Sequence, residues 1–368
     1  MGYRQGKKLA ILGVEDSIPG IPVSLKPAGP PEKAQARAHP GKKTVKHGYI
    51  DKLALSCFLS TLQRSQDADG RKHSGGKISD GYAGGESQRV VGGILADAGL
   101  RDQVLLTSKV YMPLGEGPND RGLTRRHVMD SCEASLRSLR TDRIDVFFLH
   151  RHDPAVPAEE VLATLDLLLR QGKILHAACS TFPPWRTVEA LMLAERHGWP
   201  RFTCEQPPYN LVDRRAEVEI MPMCRAFDLG VLAWSPLAQG TLAGRYARGA
   251  GFPAGSRAAR RPIFGERVSD AAIETAERLA GRLVSRPVPL PSGRPATLAQ
   301  FSAAFVLARP EVTAAIIGPR TPEQLLELLD AADLRLGTDE LAFCDSLVPP
   351  GRHVSNHFNT AAWMNEGG

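Results

Sequence analysis

Two stretches, Val104-Leu-Leu-Thr-Ser-Lys109 and Ile144-Asp-Val-Phe-Phe-Leu-His150, decide the fold. Each is a short apolar run of strand length ending on a single ionisable side chain. Between them, residues 124–139 repeat their apolar positions at helical spacing, with Thr124 placed to cap the first turn. A buried strand, a helix and a second buried strand imply parallel strands joined by a right-handed crossover.

The pattern continues in both directions. A helix is expected over 86–99, ending at glycine, and a strand over 104–110. After 144–150 come helix 158–171, strand 176–181, helix 185–197, strand 202–206, helix 216–229, strand 231–235, helices 271–284 and 298–307, strand 313–318 and helix 322–331. These make six βα units after residue 100, and eight such units close a barrel whose site lies at the C-terminal strand ends. The expected class is therefore α/β, a (β/α)8 TIM barrel, with its first βα unit degenerate or replaced. Ahead of residue 80 only 50–62 has helical spacing, 7–14 offers a short strand, and 19–46 reads as loop or disorder. The domain expectation is a poorly ordered basic head over 1–48 and a barrel over 49–368.

Charge divides the chain in the same place. The 368 residues carry a formal charge of +6. Residues 1–80 hold ten lysines and four arginines against seven acidic residues, a formal +7, and the remainder stands at −1. Past residue 80 there are thirty arginines and two lysines, Lys109 and Lys173. Aromatic residues for base stacking are nearly absent from the basic head, which argues against a nucleic-acid partner. No apolar run approaches the roughly 18 residues of a membrane span, and the N-terminus lacks a secretory h-region, so a cytoplasmic protein without a membrane partner is expected. Cys57, Cys132, Cys179, Cys204, Cys224 and Cys344 are widely spaced with no CxxC pair, which points to reduced, buried thiols and to no metal site. Oligomeric state is left open.

On a barrel, Lys109, His150, Ser180, Gln206, Trp234 with Ser235, and Gly318 all fall at the ends of successive strands and face one mouth. Lys109 stands out among them. Burial and neighbouring charge can tune an amine for proton chemistry, whereas an arginine stays charged.

Four strings carry a resemblance: Tyr82-Ala-Gly-Gly-Glu-Ser, Glu205-Gln-Pro-Pro-Tyr-Asn-Leu, Trp234-Ser-Pro-Leu-Ala-Gln-Gly and Ile317-Gly-Pro-Arg-Thr-Pro-Glu-Gln. From about residue 80 onward the chain resembles the aldo-keto reductase superfamily, in the branch similar to the potassium-channel β subunits and bacterial YajO-like reductases. That family uses an Asp, Tyr, Lys, His tetrad. The resemblance implies that Tyr82 protonates the carbonyl oxygen, Lys109 lowers the tyrosine pKa, and His150 orients the carbonyl. The family's aspartate stands five residues before its tyrosine. Here that register holds Lys77, and Asp80 matches the second acid of the pattern.

The resemblance also implies NADPH as cofactor. Ser180 and Gln206 would bind the nicotinamide carboxamide and Trp234 would stack on the ring. Ser235, Pro236, Leu237, Gly240 and Arg245 would hold the pyrophosphate, and Gly318, Arg320 and Gln324 the adenosine end, with Arg257 a weaker candidate for the phosphate region. An arginine fork suits a 2′-phosphate. Two positions depart from the family: Thr181, where asparagine or arginine is common, and Leu328, where asparagine often meets the adenine. The implied function is NADPH-dependent reduction of a small aldehyde or ketone, impaired by Lys77 in the aspartate position. The alternative is a catalytically weak NADPH-binding sensor or partner-docking barrel.

Overall fold

The computed structural model of the protein describes residues 8–12, 54–56, 86–361 and 363. Eight parallel strands close into a barrel in chain order: β1 (Lys8–Leu12), β2 (Ala54–Ser56), β3 (Leu105–Val110), β4 (Ile144–Leu149), β5 (Ile174–Cys179), β6 (Phe202–Glu205), β7 (Gly230–Trp234) and β8 (Val312–Ile317). β1 pairs with both β2 and β8, and so completes the ring. The outer layer comprises α1 (Glu86–Asp97), α2 (Arg125–Leu139), α3 (Ala158–Arg170), α4 (Pro184–His197), α5 (Ile220–Ala226), the short α6 (Arg257–Arg260) and α7 (Pro262–Gly265), then α8 (Asp270–Ser285), α9 (Leu298–Leu307), α10 (Pro322–Asp330) and α11 (Thr338–Leu347). No described helix is long and apolar enough to cross a membrane.

Three expectations need correction. Residues 50–62, with their helical spacing, contain β2. Ala54, Leu55 and Ser56 align with Leu105, Leu106 and Thr107 of β3, so pairing within the ring overrides the local period. The helix expected over 216–229 is a 3-10 turn, Arg215–Glu217, followed by α5, since Pro222 lacks an N–H and is tolerated only in a first helical turn. The strand expected over 176–181 is β5, which starts at Ile174 and ends at Cys179, leaving Ser180 and Thr181 in the turn beyond it. β1 lies within the 7–14 span, inside the range of the basic head. Lys77, Asp80, Tyr82, Cys57 and the 19–46 loop lie outside the described residues.

Strand parity decides which side chains face the interior. Phe148, Ala178, Cys204, Leu232, Ala314 and Ile316 form one buried cluster, with Val146 and Trp234 packed on it, and this cluster fills the barrel. The alternate positions, among them Phe147, Leu149, Cys179, Val231, Ala315 and Ile317, join the larger cluster shared with the helices. Ser108 is of this outward set: on the α1 and α2 side it meets Gln88 at 2.9 Å and Ser135 at 3.1 Å. Its neighbour Lys109 therefore points inward.

Caps follow the sequence. Thr124 accepts from the His127 N–H at the start of α2, and Thr297 with Gln300 forms a reciprocal capping box on the mostly apolar α9, which is buried from Gln300 onward.

Candidate active site

Lys109 aligns with Phe148 across β3 and β4, and His150 lies two residues beyond Phe148, on the same inward parity. The two side chains are buried, with relative exposures of 3% and 6% for the residues. The His150 N–H donates to the Val110 carbonyl at 2.9 Å, which extends the β3–β4 ladder by one step. Burial, with the Arg151 cation adding to it, holds the His150 imidazole well below its ordinary range. It is thus neutral at pH 7, with one nitrogen donating and the other accepting.

Across the mouth, the Ser180 N–H donates to Leu149 O at 3.0 Å and the Gln206 N–H to Cys179 O at 2.9 Å. Ser180 Oγ donates to the Gln206 carbonyl at 2.8 Å, which locks the two strand ends together. The Gln206 side-chain Nε2 is buried and has no acceptor among the described residues. A buried amide donor without a partner is costly, and its position beside a serine hydroxyl fits an arriving carboxamide: its oxygen would accept from Gln206 and its nitrogen would donate to Ser180.

Trp234 ends β7 half-buried, and the backbone at 235–240 then coils tightly. Ser235, Ala238, Gln239 and Gly240 all have positive φ, at 60°, 48°, 60° and 103°. Within this coil the Ala238 N–H donates to Ser235 O and the Gly240 N–H to Leu237 O, each at 2.9 Å, so the turn is closed by its own backbone. Gly240 is required there: at its φ a side chain is strained, and an added Cβ would lie 3.3 Å from Arg245 Cδ. Gln239 Nε2 braces the turn by donating to Ser235 Oγ at 2.7 Å. Pro236 is buried, and Leu237 is partly so.

At the end of β8, Gly318 is exposed. Gln324 Oε1 accepts from the Arg320 N–H at 2.8 Å, and Arg320 Nη1 donates to Gly255 O at 3.2 Å, tying the strand end to the 247–256 segment. Arg257 lies in α6 with its guanidinium 4.5 Å from the centroid of the Phe264 ring. Leu328 is a core residue of α10 at 4% exposure, and so packs against the barrel. Thr181 adopts φ 55°, an uncommon conformation for a β-branched residue and one that asparagine tolerates better.

The barrel thus brings Lys109, His150, Ser180, Gln206 and Trp234 to one mouth, and Tyr82 lies outside the described residues. Two groups were missed from the sequence. Glu205, 1% exposed, accepts from the Thr181 N–H and from Cys179 Sγ at 2.8 Å, and burial pushes its carboxyl up to about 7. A carboxylate closing the short strand Phe202-Thr-Cys-Glu205 was its signal. The second group is the C-terminal segment: Trp363 Nε1 donates to Thr181 O at 3.0 Å, and the fully buried His357 meets the Trp234 ring edge-on at 6.4 Å. The run Asn356-His-Phe-Asn-Thr-Ala-Ala-Trp363 carries two aromatic side chains and a histidine, which was the signal in the sequence, but nothing local shows where it packs.

Residues 77–349 match the Aldo/keto reductase family. The chain is 34% identical over 284 residues to an uncharacterized oxidoreductase, YrpG, of Bacillus subtilis, covering 74% of this chain and 80% of that protein. It is 32% identical over 255 residues to a probable voltage-gated potassium channel subunit beta of Oryza sativa, covering 69% and 76%. A protein of the same description from Arabidopsis thaliana is 31% identical over 255 residues, covering 69% and 76%. An eight-stranded barrel, a lysine and a neutral histidine at the ends of adjacent strands, and a match over most of its length place this chain in the aldo/keto reductase family of oxidoreductases.

Proposed function

We propose that the chain reduces a small aldehyde or ketone to the alcohol at the expense of NADPH. The observation that carries this reading is the buried Gln206 amide, which has no acceptor among the described residues and stands beside Ser180 at the mouth that also holds Lys109 and His150. Gln206 and Ser180 hold the nicotinamide carboxamide, and Trp234 forms the wall behind the ring. Ser235, Pro236, Leu237, Gly240 and Arg245 surround the pyrophosphate, while Gly318, Arg320 and Gln324 take the adenosine end. Bound NADPH supplies a hydride to the carbonyl carbon.

The chain's own residues manage the proton. Neutral His150 donates a hydrogen bond that orients the carbonyl oxygen. Tyr82, assigned by its match to the family motif, gives its proton to that oxygen, so that carbonyl, NADPH and one proton become alcohol and NADP+. A phenol near pKa 10 is a slow acid at neutral pH, and the Lys109 ammonium eases its ionisation by about 1.4 kcal/mol for each unit of lowering.

A second reading is an NADPH-holding barrel that docks to a partner with little turnover. Lys77 in the register of the family's aspartate favours it, as do relatives described as channel subunits. Fluorescence titration with NADPH, followed by single-turnover oxidation of bound NADPH with 4-nitrobenzaldehyde, separates the two. Binding with turnover supports the reductase, and binding without turnover supports the docking barrel. Absence of NADPH binding overturns both.

A further inference from the structure

The turn between β5 and α4 carries Ser180, and a buried carboxylate stands under it. Glu205 closes β6 in register with Cys179 at the end of β5, on the outward parity, opposite to the inward Cys204. Its Oε1 accepts from the Thr181 N–H and its Oε2 from Cys179 Sγ at 2.8 Å, and the Phe182 N–H is a third donor. An ionised carboxylate only accepts, so it matches a ring of donors better than a neutral carboxyl, which has a proton of its own to place.

The turn needs a brace. Thr181 holds φ 55°, a conformation that a β-branched residue keeps only where its surroundings enforce it. Glu205 binds its N–H, and Trp363 Nε1 donates to its carbonyl at 3.0 Å. Ser180, just before it, donates Oγ to the carbonyl of Gln206, just after Glu205, at 2.8 Å. Thr181 Oγ1 reaches the same carbonyl at 3.4 Å. The end of β6 therefore does two jobs: Gln206 supplies an amide to the mouth, and Glu205 fixes the turn that supplies the serine hydroxyl.

Stability alone does not favour a charge at this position. Burial pushes the carboxyl up to about 7, against the bonds from Cys179, Thr181 and Phe182 and the Arg151 cation. The other groups that face it keep one charge state near neutral pH. Arg151 stays a cation. Burial holds the Cys179 thiol well above its ordinary range, raises Cys204 to about 12 and moves Cys224 in the same direction.

We propose that Glu205 is a positioning residue, whose carboxylate holds the 180–182 turn in the shape that presents Ser180 to the nicotinamide carboxamide. The proposal rests on the NADPH reading of the mouth. Protonation of Glu205 loosens the turn, so cofactor affinity follows the charge of a side chain on the outward face of the barrel.

NADPH affinity of the full chain is measured by fluorescence titration from about pH 5.5 to about pH 8.5, on the wild type and on Glu205→Gln, whose amide stands in for the protonated carboxyl. The expected ratio of variant to wild-type Kd climbs from about one to about ten across that range, as linkage requires when the ionised form binds better. The 2′-phosphate of NADPH titrates in both proteins and cancels in the ratio. A residue with a merely structural role would change Kd by the same factor at every pH. A ratio flat with pH thus overturns the proposal and leaves the NADPH reading standing, whereas a wild type that does not bind NADPH overturns both. If Glu205→Gln does not fold, the wild type is titrated calorimetrically at about pH 7 with NADH, which lacks that phosphate, in buffers of high and low ionisation enthalpy. Net proton release on binding supports the proposal, and none overturns it.

Discussion

The Lys109 ammonium lies 5.1 Å from the centroid of the Phe148 ring, its register partner on the next strand. The ring does two things at once. It fills the barrel as part of the interior cluster, and it presents a π face to a cation that burial would otherwise disfavour. Phe148→Ala should cost about 3 to 5 kcal/mol of stability, through the cavity it opens and the lost ring contact. Urea unfolding measures this; a loss under about 1 kcal/mol would show that the barrel interior repacks around the gap.

Cofactor selectivity separates two proposed contacts. Arg320→Ala removes charge-assisted bonds to a phosphate that NADH lacks, so NADPH should weaken by about 1.5 to 3 kcal/mol and NADH should not. Gln206→Ala removes a contact to the carboxamide common to both, and should weaken the two alike by about 1 kcal/mol. Fluorescence titrations of both cofactors on both variants check this. Equal weakening by Arg320→Ala sinks the phosphate assignment.

Glu205 makes a pH prediction. Its carboxyl rises from 4.5 to about 7 in the folded chain, with burial as the leading cause and the bonds from Cys179, Thr181 and Phe182 opposing it. A raised folded pKa means full stability below about pH 4.5, and progressive loss as pH climbs to about 7, because the unfolded chain ionises first. The loss amounts to about 3 kcal/mol. In Glu205→Gln this slope should disappear, so the stability difference between wild type and variant should change with pH between 5 and 7, as followed by urea midpoints at constant ionic strength. A pH-independent difference would place the carboxyl's titration elsewhere.

Position 77 tests the link between register and rate. An aspartate near Lys109 favours the ammonium form, and the ammonium in turn eases proton donation by Tyr82. Wild-type single turnover with 4-nitrobenzaldehyde should be slow, and Lys77→Asp should raise its rate by about tenfold or more. Brisk wild-type turnover left unchanged by the substitution would show that position 77 is not in the site.

Which features were legible depended on the range of the forces that made them. β3, β4, β8 and most helices follow from local periodicity, and α9 matches its expected limits because a capping box and an apolar run are both local. The strand-end positions of Lys109, His150, Ser180, Gln206 and Trp234 were equally readable, since each closes a short apolar run, whereas the inward parity of Lys109 was not, because both faces of these strands are buried.

What lay beyond the sequence was set by partners distant along the chain. Three residues, Ala54, Leu55 and Ser56, became a strand because β1 and β3 flank them in the ring, whatever their own spacing suggested. Glu205 acquired its raised pKa from packing that no string of neighbours encodes. Arg151 and Arg267 stand 116 positions apart in the chain and meet on Thr360, a further 93 beyond Arg267, only because the C-terminal segment folds back across the barrel mouth. Composition and period thus determined the barrel and the residues at its rim. The closure of the barrel and the charges gathered over its mouth were decided by tertiary contact, where burial and Coulomb interactions act between residues that the chain itself keeps far apart.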